Sequence, residues 1–287
     1  MSYSNSNKLL CLIATLALGF GSSAKAGIII AADDASDAAY SAGWSGNGGF
    51  GFGAWTFANS AGAGQFIGSS TNNGDGDGNG DQDIDTGGSS SFGLFSEAGS
   101  LSEAFRNFAF GSLSTNSTFR LSLDSGFLNG AGDPGPDGSF GFGLRSGGVN
   151  RFEFFFVGGT SFYQINDSTN SNTSVGFTDE GLDLEFTLTS ADTYSFTISP
   201  LGGGGASTVT GTLDGAAGSG IDNLRLFSFS NQTFPGNGAS DGFFNSFSVE
   251  EQTTTTAAVP EPSSFLLLGL CVGGLVVRRR IRRNQEQ

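Results

Sequence analysis

The sequence of 287 residues contains no histidine, and this absence excludes several kinds of chemistry at once. Without imidazole there is no histidine general base, no histidine metal ligand and no histidine pH switch. The only two cysteines, Cys11 and Cys271, lie near the two ends of the chain inside apolar stretches. The long segment between them therefore forms no internal disulfide and offers no cysteine nucleophile, so its stability must come from packing.

Basic residues are also scarce, with 12 Lys and Arg against 27 Asp and Glu. The segment from 27 to 258 contains 25 of the acidic residues, all except Glu261 and Glu286, and only five arginines. Its formal charge is therefore −20. A nucleic-acid-binding surface needs a basic patch, so nucleic acid is excluded as a partner. The same charge attracts divalent cations and opposes direct docking onto anionic lipid or acidic polysaccharide.

Residues 1–26 have the pattern of a secretory signal peptide. Lys8 supplies a positive charge, residues 9–20 are mostly apolar, and Ala24-Lys25-Ala26 places small residues at positions −3 and −1 of a cleavage site. This order predicts export and cleavage before Gly27.

The C-terminal end has three parts in a fixed order. A short motif, Val259-Pro260-Glu261-Pro262, precedes an apolar stretch over 263–277 and a basic tail over 278–287. The stretch is short for a membrane span, but snorkelling arginines and local thinning of the bilayer allow one. We therefore predict a short transmembrane helix whose arginines remain in the cytoplasm. These are Arg278, Arg279, Arg280, Arg282 and Arg283.

This arrangement resembles the PEP-CTERM sorting signal of bacterial surface proteins. The resemblance rests on the tripeptide Pro260-Glu261-Pro262, the apolar helix, the arginine cluster at the C-terminus and the upstream signal peptide. In that family a membrane-embedded protease-transpeptidase, exosortase, recognises and processes the tail, and members are associated with exopolysaccharide-producing, biofilm-forming bacteria. The resemblance implies Sec export, exosortase as a partner, a transient stay in the inner membrane, and then the cell surface or extracellular matrix. It implies nothing about the chemistry of the upstream domain.

Residues 27–251 show apolar and polar residues in alternation, which is typical of antiparallel strands with one wet face. Dense turn residues bound each run, and 102–110 fits a helix or a strand equally well. The sequence predicts an all-β, two-sheet antiparallel sandwich of jelly-roll or concanavalin-like type, followed by a polar linker over 252–258. The later strands resemble concanavalin-like or laminin-G-like domains in pattern only. The clearest runs are 119–123, 140–144, 152–156, 182–188, 194–198 and 243–249.

The segment from 75 to 85 alternates acidic or carboxamide residues with small ones, which suits oxygen coordination of Ca²⁺. The candidate ligands are Asp75, Asp77, Asn79, Asp81, Asp83 and Asp85. Read as an EF-hand loop, the segment ends in Thr86 instead of the bidentate glutamate, so it is not a standard EF-hand. The alternatives are another kind of calcium loop and a solvated acidic loop.

Other residues suggest binding or catalysis less directly. Asp183 and Glu185 share one face of a strand and would be the carboxylates of a glycosidase, although polar-out alternation is the simpler interpretation. Glu153 is a third such carboxylate, with pairing to Arg151 or to an arginine on a neighbouring strand as its structural role. Trp44 and Trp55 are candidates for stacking on sugar rings.

The glycine-rich run 46–51 matches G-x-G-x-x-G, but an aromatic, strand-like segment follows where a dinucleotide site needs a helix. No catalytic residues are assigned. The expected function is therefore non-enzymatic: a cell-surface or matrix protein that binds carbohydrate or exopolysaccharide. The alternatives are a purely structural biofilm or adhesion module and a polysaccharide-acting glycosidase or lyase.

Overall fold

The computed structural model describes residues 27–72, 84–126, 128, 138–231 and 240–252. The predicted signal peptide, most of the acidic segment, the linker beyond 252 and the whole sorting signal lie outside the described residues. Within the described ranges, no helix is long and apolar enough to cross a membrane. Residues Gly27–Thr253 form one compact unit by their contacts.

Two antiparallel sheets make up this unit, which confirms the predicted two-sheet sandwich. The eight-stranded sheet has the order β13-β12-β11-β6-β15-β4-β3, with β1 paired to β15. Its strands are β1 (Gly27–Asp33), β3 (Ala63–Gly68), β4 (Ser91–Ser96), β6 (Thr118–Asp124), β11 (Leu182–Leu188), β12 (Thr193–Pro200), β13 (Ser207–Thr212) and β15 (Gly242–Gln252).

The seven-stranded sheet has the order β10-β9-β8-β7-β14-β5-β2. Its strands are β2 (Thr56–Asn59), β5 (Leu101–Asn107), β7 (Ser139–Ser146), β8 (Val149–Val157), β9 (Phe162–Asn166), β10 (Ser171–Gly176) and β14 (Asn223–Phe229). The segment 102–110, left open between helix and strand, is the strand β5 over most of its length. Two single-turn 3₁₀ helices, Ala38–Tyr40 and Ser70–Asn72, are the only helical segments in the described ranges.

The core lies between the sheets and is rich in phenylalanine. Phe142 and Phe154 of one sheet and Phe196 of the other are fully buried, with ring centroids 5.0–6.2 Å apart. Sheets pack about 10 Å apart, a gap that facing phenylalanine side chains fill. The period-two alternation therefore fixed which residues of each strand turn inward.

A buried salt bridge, surrounded by hydrogen bonds, joins the two sheets of the sandwich. Arg106 on β5 forms a salt bridge with Asp33 at the end of β1, and its guanidinium stacks on the rings of Phe52 and Trp55 at 4.8 and 4.9 Å. Its Nη2 donates to the carbonyl of Gly48 at 2.8 Å. Gly48, within the glycine-rich run 46–51, thus covers the buried arginine.

Candidate functional site

The outer face of the seven-stranded sheet carries a continuous set of polar and aromatic side chains. Cross-strand pairing places them in three rows, and we call this surface the ladder face. Because side chains alternate between the two faces of a strand, residues that pair directly across strands share a face. The first row is Asn107, Asn223, Arg145 and Asn150; the second is Phe105, Arg225, Gly143, Glu153 and Asn166; the third is Glu103, Phe227, Gly141, Phe155, Gln164 and Asn172.

Arg225 is the centre of an ionic ladder on this face. Its Nε donates to Glu103 at 2.6 Å and its Nη1 to Glu153 at 2.8 Å, while the guanidinium lies 4.5 Å from the ring centroid of Phe227. Glu153 is 7% exposed and also accepts from the side-chain amides of Asn150 and Asn166, each at 2.6 Å. Glu153 is thus paired with an arginine two strands away, and Arg151 instead bonds Asp192.

Gly143 makes this long ionic contact possible, because it lies between Arg225 and Glu153 in the row and has no side chain. A Cβ at this position would stand 3.2 Å from Cγ of Glu153. We expect Gly143→Val to lower the free energy of unfolding by about 1–3 kcal/mol, since the added methyls displace the ladder. Urea unfolding measures this, and Ser195→Val, at an outward position of β12, should stay within about 0.5 kcal/mol. Equal stability of the two variants would show that the ladder is unimportant.

A depression of about 570 Å³ lies at one end of the ladder face. It forms where the β7–β8 hairpin, whose two-residue turn is Gly147-Gly148 with φ of 52° and 95°, stands beside β5 and β14. Both turn residues adopt positive φ, which glycine tolerates without steric cost. The depression is lined by Phe105, Asn107, Phe108, Gly111, Arg145, Gly147, Gly148, Asp222 and Asn223.

Arg145 is the cationic group of this depression. The structure describes all five arginines between residues 27 and 252, and the other four make ion pairs, whereas Arg145 makes none to a described residue. Its guanidinium lies 5.1 Å from the ring centroid of Phe105, and its Nη2 donates to the carbonyl of Gly148. Burial, and then the positive charge of Arg225, hold the pKa of Arg145 below its usual value.

A second depression of about 460 Å³ lies at the other end of the same face. Phe155 forms an aromatic wall, and carboxamides and a hydroxyl surround it. Strand spacing of about 4.8 Å places β5 and β9 about 19 Å apart, so the two depressions are the ends of one long surface. The second depression is lined by Phe155, Gln164, Ile165, Asn166, Asn170, Ser171 and Asn172.

Trp44 and Trp55, the residues expected to stack on sugars, are not on this face. They are 4% and 5% exposed, pack against each other at 5.1 Å and contact Phe92 in the core. Trp44 also lines part of a separate depression of about 600 Å³ beside the 3₁₀ helix Ala38–Tyr40. Their burial gives both rings a role in the core, which large aromatic side chains stabilise strongly, and stacking on a sugar ring stays a prediction.

Asp183 and Glu185 lie on the opposite surface of the molecule, in a groove of about 390 Å³ on the eight-stranded sheet. Asp183 accepts from the hydroxyl of Ser122 at 2.7 Å, and Glu185 pairs with Arg120 at 2.9 Å. Arg120 also pairs with Glu250 at 2.7 Å. Each carboxylate therefore has a protein partner that explains its position on a wet sheet face.

Of the six predicted calcium ligands, only Asp85 belongs to the described residues. Its carboxylate accepts hydrogen bonds from the backbone of Ser70 at 2.8 Å and from the hydroxyl of Ser91 at 2.6 Å. Asp75, Asp77, Asn79, Asp81 and Asp83 lie outside the described ranges. Within those ranges, no group of three or more acidic or cysteine side chains is placed to hold a metal ion.

The ladder face was missed by the sequence reasoning, although parts of its signal are visible. Gln164 and Asn166 alternate with the buried Tyr163 and Ile165, which marks them as outward. What the sequence does not show is which outward residues of distant strands meet. Glu103 and Arg225, for example, are 122 positions apart in the chain.

Comparison with known proteins identifies the C-terminal segment. Residues 258–281 match the family model described as the PEP-CTERM protein-sorting motif. The chain therefore carries this sorting motif, which implies export to the cell surface. No curated protein matches the chain.

Solved structures with a similar arrangement of strands include several sandwich domains. The CBM2 module of the evolved Dit protein of Lactobacillus casei phage J-1 has 13% identity and a TM-score of 0.40, covering 68% of this chain and 96% of its own. The legume lectin-like domain of Entamoeba histolytica has 10% identity and a TM-score of 0.37, and the match covers 60% of this chain and 88% of that domain. Galectin LEC-6 of Caenorhabditis elegans has 12% identity and a TM-score of 0.32, and the match covers 49% of this chain and 86% of the galectin. At these TM-scores the likenesses do not identify a ligand.

Proposed function

We propose that this protein is a non-enzymatic component of the cell surface or extracellular matrix, and that it binds a neutral polysaccharide along the ladder face. The observation that carries the proposal is the presence of two depressions on one sheet face, each lined by polar side chains and a phenylalanine ring. An extended chain of sugar rings can occupy both ends of such a surface at once.

The chemistry of the face suits hydroxyl-rich ligands. Gln164, Asn166 and Asn172 each carry a donor and an acceptor, as a sugar hydroxyl does. Phe155 supplies an apolar ring surface beside them, and sites for organic ligands combine apolar walls with a few placed polar groups. A formal charge of −20 between residues 27 and 258 favours neutral over acidic polysaccharide, because like charges repel.

The carboxylates that would serve a glycosidase have other roles in this proposal. Glu153 accepts three hydrogen bonds from side chains on the ladder face, and Glu185 pairs with Arg120. A general acid or nucleophile must be able to reach its substrate with its carboxyl oxygens. The binding proposal uses Glu153 to hold Arg225 and the asparagines in place instead.

The sorting signal supports the proposed location. Residues 258–281 match the sorting motif, and residues 1–26 have the pattern of a signal peptide. We infer export through the Sec machinery, a transient stay in the inner membrane through the helix predicted over 263–277, and recognition by exosortase. Exopolysaccharide of the producing bacterium is then the ligand that the protein meets.

Affinity electrophoresis of residues 27–253 through gels that contain this exopolysaccharide tests the proposal. This segment holds both sheets and the whole described core. We expect retardation, and we expect Phe155→Ala to weaken it about tenfold, since one ring contact contributes about 1.4 kcal/mol. The matched control is Phe95→Ala, which removes a half-buried phenylalanine from the outer face of the eight-stranded sheet.

Thermal unfolding of both variants shows whether either one has lost its fold. Unretarded migration of the folded wild-type protein would overturn the binding proposal and favour a purely structural matrix module. Retardation that needs Ca²⁺ would implicate the acidic segment from Asp75 to Asp85.

A further inference from the structure

We propose that the depression around Arg145 is a subsite for one neutral sugar ring, and that Asn223 and Asp222 make it select hydroxyls over carboxylates. This inference rests on the proposed function and names the chemistry of one end of the binding surface.

Arg145 offers unused donors in a fixed orientation. Its Nη2 is anchored on the carbonyl of Gly148 and its guanidinium lies on the ring of Phe105, whereas Nε and Nη1 have no hydrogen-bond partner among the described residues. Each of these N–H groups can donate a hydrogen bond to an oxygen of a ligand. The hydroxyl oxygens of a sugar ring and the oxygens of a carboxylate can both accept it.

Asn223 distinguishes between these two ligands. It is 8% exposed, and its Nδ2 donates to Oδ1 of Asn107 at 2.6 Å, while its own Oδ1 is buried without a partner. A buried carbonyl oxygen left without a donor is unfavourable, so a ligand that donates to it is preferred. A hydroxyl can donate to this oxygen and accept from Arg145, whereas a carboxylate only accepts.

The negative charge of Asp222 also disfavours a carboxylate in the depression. Its Oδ1 accepts from the backbone of Gly147 at 2.9 Å, which places the carboxylate at the rim of the depression. Arg225 is already paired with two glutamates, so Arg145 and Asp222 leave the depression without a positive excess. Charges beyond about 8 Å are screened at physiological salt, so these nearby groups determine which ligand charge is accepted.

Side-chain NMR of residues 27–253 tests the subsite directly. The probes are glucose, galactose and mannose, each compared with its uronate, which differs only by a carboxylate at C6. We expect at least one neutral hexose to shift the Nε–H signal of Arg145, and its uronate to bind about threefold more weakly. A threefold change in affinity corresponds to the repulsion between two unit charges about 6 Å apart in water.

The Asp222→Asn variant should reduce this difference between hexose and uronate, because it removes the part of the selection that is due to charge. The carboxamide oxygen can still accept from Gly147, so the turn is preserved while the charge is removed. Glu97→Gln, which removes one negative charge from the β4–β5 turn, is the matched control and should leave the ratio unchanged. A uronate that binds the wild-type protein as tightly as its hexose would contradict the selection by Asn223 and Asp222.

Two further outcomes separate this inference from the proposed function. If a hexose shifts the side-chain amides of Gln164 and Asn166 but not Arg145, the subsite is wrong and polysaccharide binding by the ladder face stands. If none of the six sugars shifts any signal of the ladder face, both the subsite and the proposed function are wrong.

Discussion

Replacing Arg106 with methionine should lower the free energy of unfolding by about 3–5 kcal/mol at neutral pH, because it leaves the carboxylate of Asp33 buried without its cation. Arg106 is 1% exposed and also donates to the carbonyl of Gly53 and to Oδ1 of Asn47, at 2.8 and 2.7 Å. Those acceptors lose their donors too. Urea unfolding followed by tryptophan fluorescence reports the loss, since Trp55 stacks on this guanidinium.

The pH dependence of this variant identifies the cause. Burial raises the pKa of Asp33, even though Arg106 and the hydroxyl of Tyr40 oppose the rise. Without Arg106 that pKa should rise further. A carboxyl whose pKa is higher in the folded state favours folding at low pH and loses that contribution as pH rises, so Arg106→Met should be least destabilised near pH 4.

A double variant provides the control. Asp33→Asn removes the buried charge and keeps an oxygen that can accept from Tyr40, which now donates at 2.6 Å. We expect Asp33→Asn to restore part of the stability lost in Arg106→Met, and to flatten the pH dependence. If the double variant is destabilised by the sum of the two single losses, the unpaired charge is not the reason for the effect.

Replacement of Pro260-Glu261-Pro262 with three alanines should abolish nearly all surface release while export continues. The motif lies within the matched segment 258–281, and the predicted signal peptide, which would start export, is at the other end of the chain. We expect the full-length protein, with its apolar stretch over 263–277 intact, to accumulate in the inner membrane. Fractionation with immunoblotting of cells measures the two pools.

The matched control replaces Thr254-Thr255-Thr256 in the polar linker with three alanines and should be released normally. A companion variant with all five tail arginines changed to glutamine should be retained less well during translocation, because positive charges fix the cytoplasmic end. Normal release of the Pro260-Glu261-Pro262 variant would contradict its role as the sorting signal.

The fold was predictable from the sequence to the level of its strands and their buried faces. Phe140, Phe142 and Leu144 were expected to turn inward from one strand, and all three are buried in β7. The two tryptophans show where this reasoning stops. Alternation marks a side chain as inward or outward along a strand, but Trp44 lies in a connection, where no period applies.

The candidate site could not be predicted from the sequence, because the register between distant strands is not visible in any one of them. Phe105, Arg225 and Glu153 lie on three separate strands, and only the antiparallel register brings them into one row. A shift of one residue in any of these pairings would turn the partner to the other face of the sheet. Gly143 shows the same dependence, since its lack of a side chain matters only because an arginine crosses over it.

The sequence by itself determined where the protein is sent and what kind of fold it forms. Sorting signals act as contiguous segments that the export machinery reads along the chain, and alternation of apolar residues is a local property of each strand. Only the tertiary structure decided that Arg106 is buried with Asp33, and that Arg145, Asn223 and Asp222 share one depression. These groups are far apart in the chain, and the cross-strand register that joins them is selected by the packing of the whole sandwich.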